Sequence, residues 1–275
     1  MKFKLIFIIF NAAILVSFAL IFFMPMMLLG WEYSRTFWGT NWYLPLMFLA
    51  IMGILNTYFI INWKLFTLLE REDWNALVSY LEDRVTVRHR YSPLNIRLLV
   101  HGYVVRSDME GVRRLGADVK ARNAALFNRN ALLFGIPYLL GNKPAEMEGY
   151  FREALEGGAS DTGWLRWNHA FSLLLRKRED EAKALLLGLV RSRERDAILL
   201  LLAAYLLDTF SRRDEEAAAE IERVRVALTR KFSKSAWERE IERAKSNLQV
   251  VILVRLVQEA TDWLYSEGKK ESGSK

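Results

Sequence analysis

The sequence contains no cysteine, which excludes a disulfide framework, thiolate chemistry and cysteine-based zinc sites. Histidine is nearly as scarce. His89, His101 and His169 are the only three, and no two form an H-x-x-x-H pair, so no metal is expected. There is no G-x-x-x-x-G-K-[ST] or G-x-G-x-x-G stretch to cradle a phosphate, and no G-x-S-x-G elbow. Neither catalytic residues nor a cofactor are therefore expected, and the chain reads as a non-enzyme. Acidic pairs such as Glu70/Asp73 and Glu215/Glu216 stand near predicted helix starts, where the helix dipole favours them.

Charge is absent from residues 5–31 and again from 36–63. The first run supplies an apolar stretch over 5–29, about 37 Å as a helix and enough to span a bilayer with tilt. A second span is predicted over 42–62. A signal peptide would have a shorter apolar core and a small-residue cleavage site; Met24-Pro25-Met26-Met27 leads instead into Gly30-Trp31. The stretch 31–42, rich in Trp and Tyr, reads as an interfacial turn. Lys2 and Lys4 precede the first span, Lys64 and Arg71 follow the second, and the turn has only Arg35, opposed by Glu32. The positive-inside rule then places both termini in the cytoplasm. No ionisable residue interrupts either span, so a tether is expected rather than a transporter. Asn11 and Asn56 are the main polar side chains there and can hydrogen-bond between the spans or across a dimer.

From Lys64 onward the chain is densely charged, with 36 basic and 31 acidic residues interspersed. This mild excess suits solubility and attraction to anionic headgroups. The basic clusters RVTVRHR at 84–90 and TRKFSK at 229–234 read as solvated loops, so nucleic acid is an unlikely partner.

Apolar residues recur at three- and four-residue steps, as in Trp164, Trp167, Phe171, Leu174 and Leu175, and no run alternates as a strand does. Ser92-Pro93 and Pro144 open predicted helices, and Pro137 marks a predicted helix end. The expected fold is all-α, with helices over 64–84, 93–106, 108–121, 124–135, 144–156, 161–177, 179–192, 195–210, 214–231 and a long capping helix over 235–266. A polar tail, 267–275, is expected to be disordered. The predicted domains are a membrane anchor, 1–63, and a helical repeat domain, 64–266.

Five small residues, Ala76, Gly111, Gly149, Ala182 and Ala217, follow acidic helix-starting runs at steps of 35, 38, 33 and 35. They are expected in the second helix of each pair, facing the first, with the partner of Ala76 supplied by the end of the second span. The period, the small residue and the acidic entry resemble the tetratricopeptide repeat (TPR), best over Trp164–Leu228, where Trp167, Ala170, Ala182 and Leu186 fall near that family's spacing. No repeat carries the whole consensus, and the proline that usually closes a repeat is missing from the later units.

The resemblance covers roughly residues 64–232. Two N-terminal spans followed by such helices look like bacterial inner-membrane TPR proteins, some of which support envelope machines, including flagellar motor collars of spirochaetes. It implies an α-solenoid whose first helices line a groove, with Arg97, His101, Asn128, Arg129, Arg166 and Asn168 as partner-binding candidates. The function expected is a membrane-anchored scaffold binding protein partners at the cytoplasmic face. The alternatives are an enzyme or ligand-binding protein with a repeat-built pocket, and a membrane-attached nucleic-acid binder. The apolar run 250–254 allows either a cap or a homo-oligomer contact.

Overall fold

A computed structural model describes residues 3–192 and 194–266, and of Phe3, Lys4 and Pro25 the backbone alone. The described residues form α-helices joined by short turns, with no strand among them. The chain divides into two compact units, Met1–Arg90 and Tyr91–Lys275. The tail at 267–275 lies outside the described residues.

The first unit opens with α1 (Phe3–Thr40), broken at Gly30, and continues with α2 (Tyr43–Ile61), α3 (Trp63–Glu70) and α4 (Trp74–Glu82). Gly30 has φ 83° and ψ 176°, a conformation that glycine reaches without steric cost. That single residue breaks the helix, so residues 31–40 are helical rather than the expected interfacial turn. Phe18 stacks on Phe48 with ring centroids 4.2 Å apart, and Phe7 meets Phe59 at 5.4 Å. The later residue of α1 meets the earlier residue of α2, so the two helices run antiparallel. Leu5–Met24 and Tyr43–Ile61 are long and apolar enough to cross a membrane. Asn11 and Asn56 bond within their own helices, to the carbonyls of Phe7 and Met52. This is the local i−4 bond open to a polar side chain on a helix, in place of a bond between helices. Only Asn62 separates α2 from α3, and α3 packs on α4. The partner helix expected at the end of the second span is thus a separate short helix.

The second unit comprises α5 (Pro93–Val105), α6 (Met109–Arg122), α7 (Ala124–Arg129), α8 (Ala131–Phe134), α9 (Ile136–Leu140), α10 (Pro144–Glu156), α11 (Thr162–Leu175), α12 (Glu179–Arg191), α13 (Ala197–Leu207), α14 (Glu215–Lys231), α15 (Lys234–Ala244), α16 (Leu248–Ile252) and α17 (Val254–Tyr265). From α10 to α14 each helix packs on the next. Ser92 caps α5 through the amide of Asn95 with Pro93 in the first turn, as its sequence predicts. Pro137 opens α9 rather than ending a helix, because a fixed φ and a missing N–H cost nothing in a first turn.

The repeat is more regular than the small residues suggest. The N-cap residues of α4, α6, α10, α12 and α14 are Asp73, Asp108, Lys143, Arg178 and Asp214. Leu77, Val112, Met147, Ala182 and Ala217 are all buried, and each stands 35 residues after the last. One turn further on, Leu81, Gly116, Phe151, Leu186 and Ile221 keep the same spacing and are also buried. The repeating element is therefore an apolar pair at i and i+4, which lies on one helix face, and its side chains range from glycine to phenylalanine. Gly111, Ala182 and Ala217 are buried, but Ala76 and Gly149 are only half-buried. Ala76 and Gly111 each lie one residue before the repeating position and Gly149 two after it, which accounts for the uneven steps. Their role as packing residues is thereby corrected: at those two helices the facing residues are Leu77 and Met147.

The long helix expected over 235–266 is three helices, α15, α16 and α17. Asn247 ends the first stretch by capping α16 through the amide of Gln249, the non-helical alternative that asparagine offers a backbone. Val250 and Val257 are buried, whereas Val251 and Val254 are exposed. Trp237 donates to Thr261 at 3.1 Å, and Trp263 donates to Asp208 at 3.0 Å. These bonds fold the terminal helices against one another and against the end of α13.

The register makes opposite predictions for two glycines. A Cβ at Gly111 would stand 2.7 Å from the Tyr103 ring, whereas at Gly149 it would meet nothing within 4 Å. Gly111→Ala is expected to destabilise by about 1–3 kcal/mol through overpacking. Gly149→Ala is expected to stabilise by about 0.5–1 kcal/mol, because glycine is costly inside a helix. Thermal unfolding of the two variants checks this; the same sign for both would contradict the register.

Candidate functional site

The six residues read as a partner groove occupy different environments. Arg97 and His101 lie one turn apart on α5; Arg97 is exposed and His101 half-buried. Burial first, and then the charge of Arg97, hold the His101 imidazole below its ordinary pKa, so it is neutral at pH 7. Arg129, at the end of α7, is exposed. Asn128, beside it, holds the turn after α10. Its amide donates to the Gly157 carbonyl at 2.7 Å, and its own carbonyl accepts from the Ser160 amide at 3.1 Å. Those bonds make it a clamp between neighbouring turns, used internally.

Arg166 is exposed on α11 and borders a cavity of about 440 Å³ with Thr162, Ser192, Glu194 and Arg195. Asn168, two residues on, is fully buried. Its Nδ2 donates to the Trp164 carbonyl at 2.9 Å and to the Gln249 side chain at 3.3 Å. Gln249 is itself buried and donates at 3.4 Å to the Leu132 carbonyl. One side chain of α16 thus bridges α8 and α11, which lie 117 and 81 residues away along the chain. Asn168 meets the chain's own C-terminal segment and is closed to any partner. Among the described buried atoms, Asn168 Oδ1 and Trp167 Nε1 have no hydrogen-bond partner. A lone Asn and a lone Gln 81 residues apart carry no sequence signal for such a bond.

A charged cluster that sequence reasoning missed lies one helix away. Glu148 of α10 is buried and accepts from Arg176 and, at 2.6 Å, from Arg178 Nη1. These arginines flank the turn between α11 and α12, so one carboxylate ties three helices together. Burial pushes the Glu148 carboxyl up, but the hydrogen bonds from Arg176 and Arg178, reinforced by their charge, hold it below the ordinary glutamate range. His169 is half-buried nearby and is lowered by its own burial, with Arg152 and Arg178 adding to the effect against Glu148. Other cross-helix pairs lie nearer the surface: Lys120 with Glu153 at 2.6 Å is exposed, and Lys183 with Asp214 at 2.9 Å and Arg191 with Glu220 at 3.0 Å are partly exposed. Such surface pairs contribute about 0–1 kcal/mol each and act mainly as register marks.

Helix pairs in a fixed register, with buried polar ties between them, define an all-helical protein. Residues 111–266 match the family described as "Uncharacterised Treponema protein", and the chain belongs to that family. It is similar to an "Uncharacterized protein" of Treponema pallidum (strain Nichols), 29% identical over 281 residues, which covers 96% of this chain and 88% of the relative. No solved structure matches it.

Two substitutions test these ties. A depressed carboxylate contributes stability above its unfolded pKa and loses it as pH falls through the folded-state value. Glu148→Gln, which removes a charge buried against two arginines, is therefore expected to cost about 3 kcal/mol at pH 7. The gap should close as pH drops below the ordinary glutamate range; a gap independent of pH would contradict the assignment. Gln249→Ala removes the buried bonds to Asn168 and to the Leu132 carbonyl and should cost about 1–3 kcal/mol, measured by denaturant titration, whereas an exposed Gln would cost almost nothing.

Proposed function

We propose that the protein is a membrane-anchored helical-repeat scaffold that binds protein partners during assembly of an envelope complex. The anchor rests on one observation. The side chains of α1 and α2 are apolar and outward: Leu20 is 65% exposed and Ile54 70%, and none of either apolar window is buried. A continuous uncharged surface of that size is costly in water and is matched by lipid. The lysines and arginines on either side favour both termini in the cytoplasm of an inner membrane. The 35-residue buried register supports a TPR-like array, since that class repeats at about 34 residues and serves protein binding. The partner face is then expected to include the exposed candidates Arg97, Arg129 and Arg166, with His101 beside Arg97. The paired basic residues on α6 and α12 favour this reading over nucleic acid, because Lys120, Lys183 and Arg191 already hold carboxylates.

The reading makes a two-part prediction. The full chain should stay in the membrane pellet after alkaline carbonate extraction, and a reporter fused at its C-terminus should be active in the cytoplasm. Crosslinking in intact cells should then trap a reproducible partner that the Arg97→Glu/Arg129→Glu/Arg166→Glu triple variant loses while remaining folded. Release of the chain by carbonate would remove the anchor; a partner held equally well by the triple variant would remove the assigned face.

A further inference from the structure

The break at Gly30 leaves a cavity at the closed end of the α1–α2 hairpin, about 570 Å³, and we infer that it is a binding site for an anionic phospholipid. This rests on the membrane reading above. One wall is apolar: Phe22, Phe23 and Met26 stand at the end of the Leu5–Met24 stretch. The other wall carries Ser34, Arg35 and Trp38 from the helical segment after Gly30. Trp38 is fixed in place by stacking on Phe22, with ring centroids 4.6 Å apart. The cavity is therefore mostly oily and continuous with the lipid-facing helix, with a small polar patch at Ser34 and Arg35 beyond it, the division found in an amphiphile.

The polar side is unfilled by the protein itself. The Trp38 indole N–H is buried and has no hydrogen-bond partner. Arg35 forms no ion pair among the described residues, although Glu32 is three residues before it. The Arg35 guanidinium, without a counter-charge, matches phosphate oxygens, which accept charge-assisted bonds from it. The exposed rings of Trp31 and Trp42 at the rim suit headgroup depth. A phosphate at Arg35 and an acyl chain along Phe22 and Met26 satisfy both walls at once; a zwitterionic headgroup would bring its own cation up to Arg35 along with the phosphate.

Native mass spectrometry of the full chain, released into mild detergent from vesicles of equal phosphatidylglycerol and phosphatidylcholine, tests this. Flotation of the same vesicles reports insertion. The wild type should retain phosphatidylglycerol over phosphatidylcholine by roughly tenfold, the scale of a charge-assisted bond. Arg35→Lys should keep the preference and Arg35→Glu should abolish it. Insertion with equal retention of the two lipids, in wild type or alike in wild type and Arg35→Glu, overturns the site alone. Failure of the wild type to float overturns the membrane reading and the site with it.

Discussion

The fold depends on a small apolar pair repeated every 35 residues. In each of five helices one buried side chain is followed a turn later by a second, from Leu77/Leu81 to Ala217/Ile221. A single helix with so narrow an apolar stripe buries too little surface to be stable alone. Stacked against its neighbours, the same stripe is covered on both sides, and each added pair contributes through nearest-neighbour contact. Register is therefore what the sequence has to conserve within itself, and size at each position is free to vary. Where one position is small, as Gly116 is, the neighbour is large: Phe134 lies against it at 3.3 Å from where a Cβ would stand.

Polar groups act as ties at the places where the apolar register does not reach. Glu148 gathers Arg176 and Arg178 at the turn before α12, whose N-cap, Arg178, has no acidic side chain to offer its helix. Gln249 reaches across to Leu132 and Asn168, so α16 closes over residues that a simple open array would expose. Both ties are buried and hydrogen-bonded, the condition under which polar groups inside a protein rigidify it instead of weakening it. They also separate what is available for binding from what is not. Arg97, Arg129 and Arg166 remain on the surface, while Asn128 and Asn168 are committed internally.

Much of this was legible in the sequence, and the failures have physical causes. Helix type and most boundaries followed from three- and four-residue periodicity and from caps such as Ser92, because both are local. The period near 35 was visible, but small residues were a poor marker of it: Gly149 sits in open space, and Met147 holds the equivalent position. Residues 235–266 contain no proline or glycine, so periodicity alone predicts one continuous helix, and the breaks come instead from Asn247 and from packing. The turn at Gly30 was displaced for a related reason: aromatic composition suggested a loop where one glycine suffices. Asn168 and Glu148 could not be placed, since their partners lie tens of residues away and nothing local encodes the pairing.

The central claim is that the C-terminal helices are part of the packed array and close over α11 and α13. Amide hydrogen exchange on the full chain and on a chain ending at Ser246 addresses it directly. Removal of α16 and α17 should raise exchange in α8, α11 and α13, which they contact through Gln249 and Trp263 or pack against, and leave α6 unchanged. Unaltered protection of α11 and α13 in the shortened chain would contradict the account.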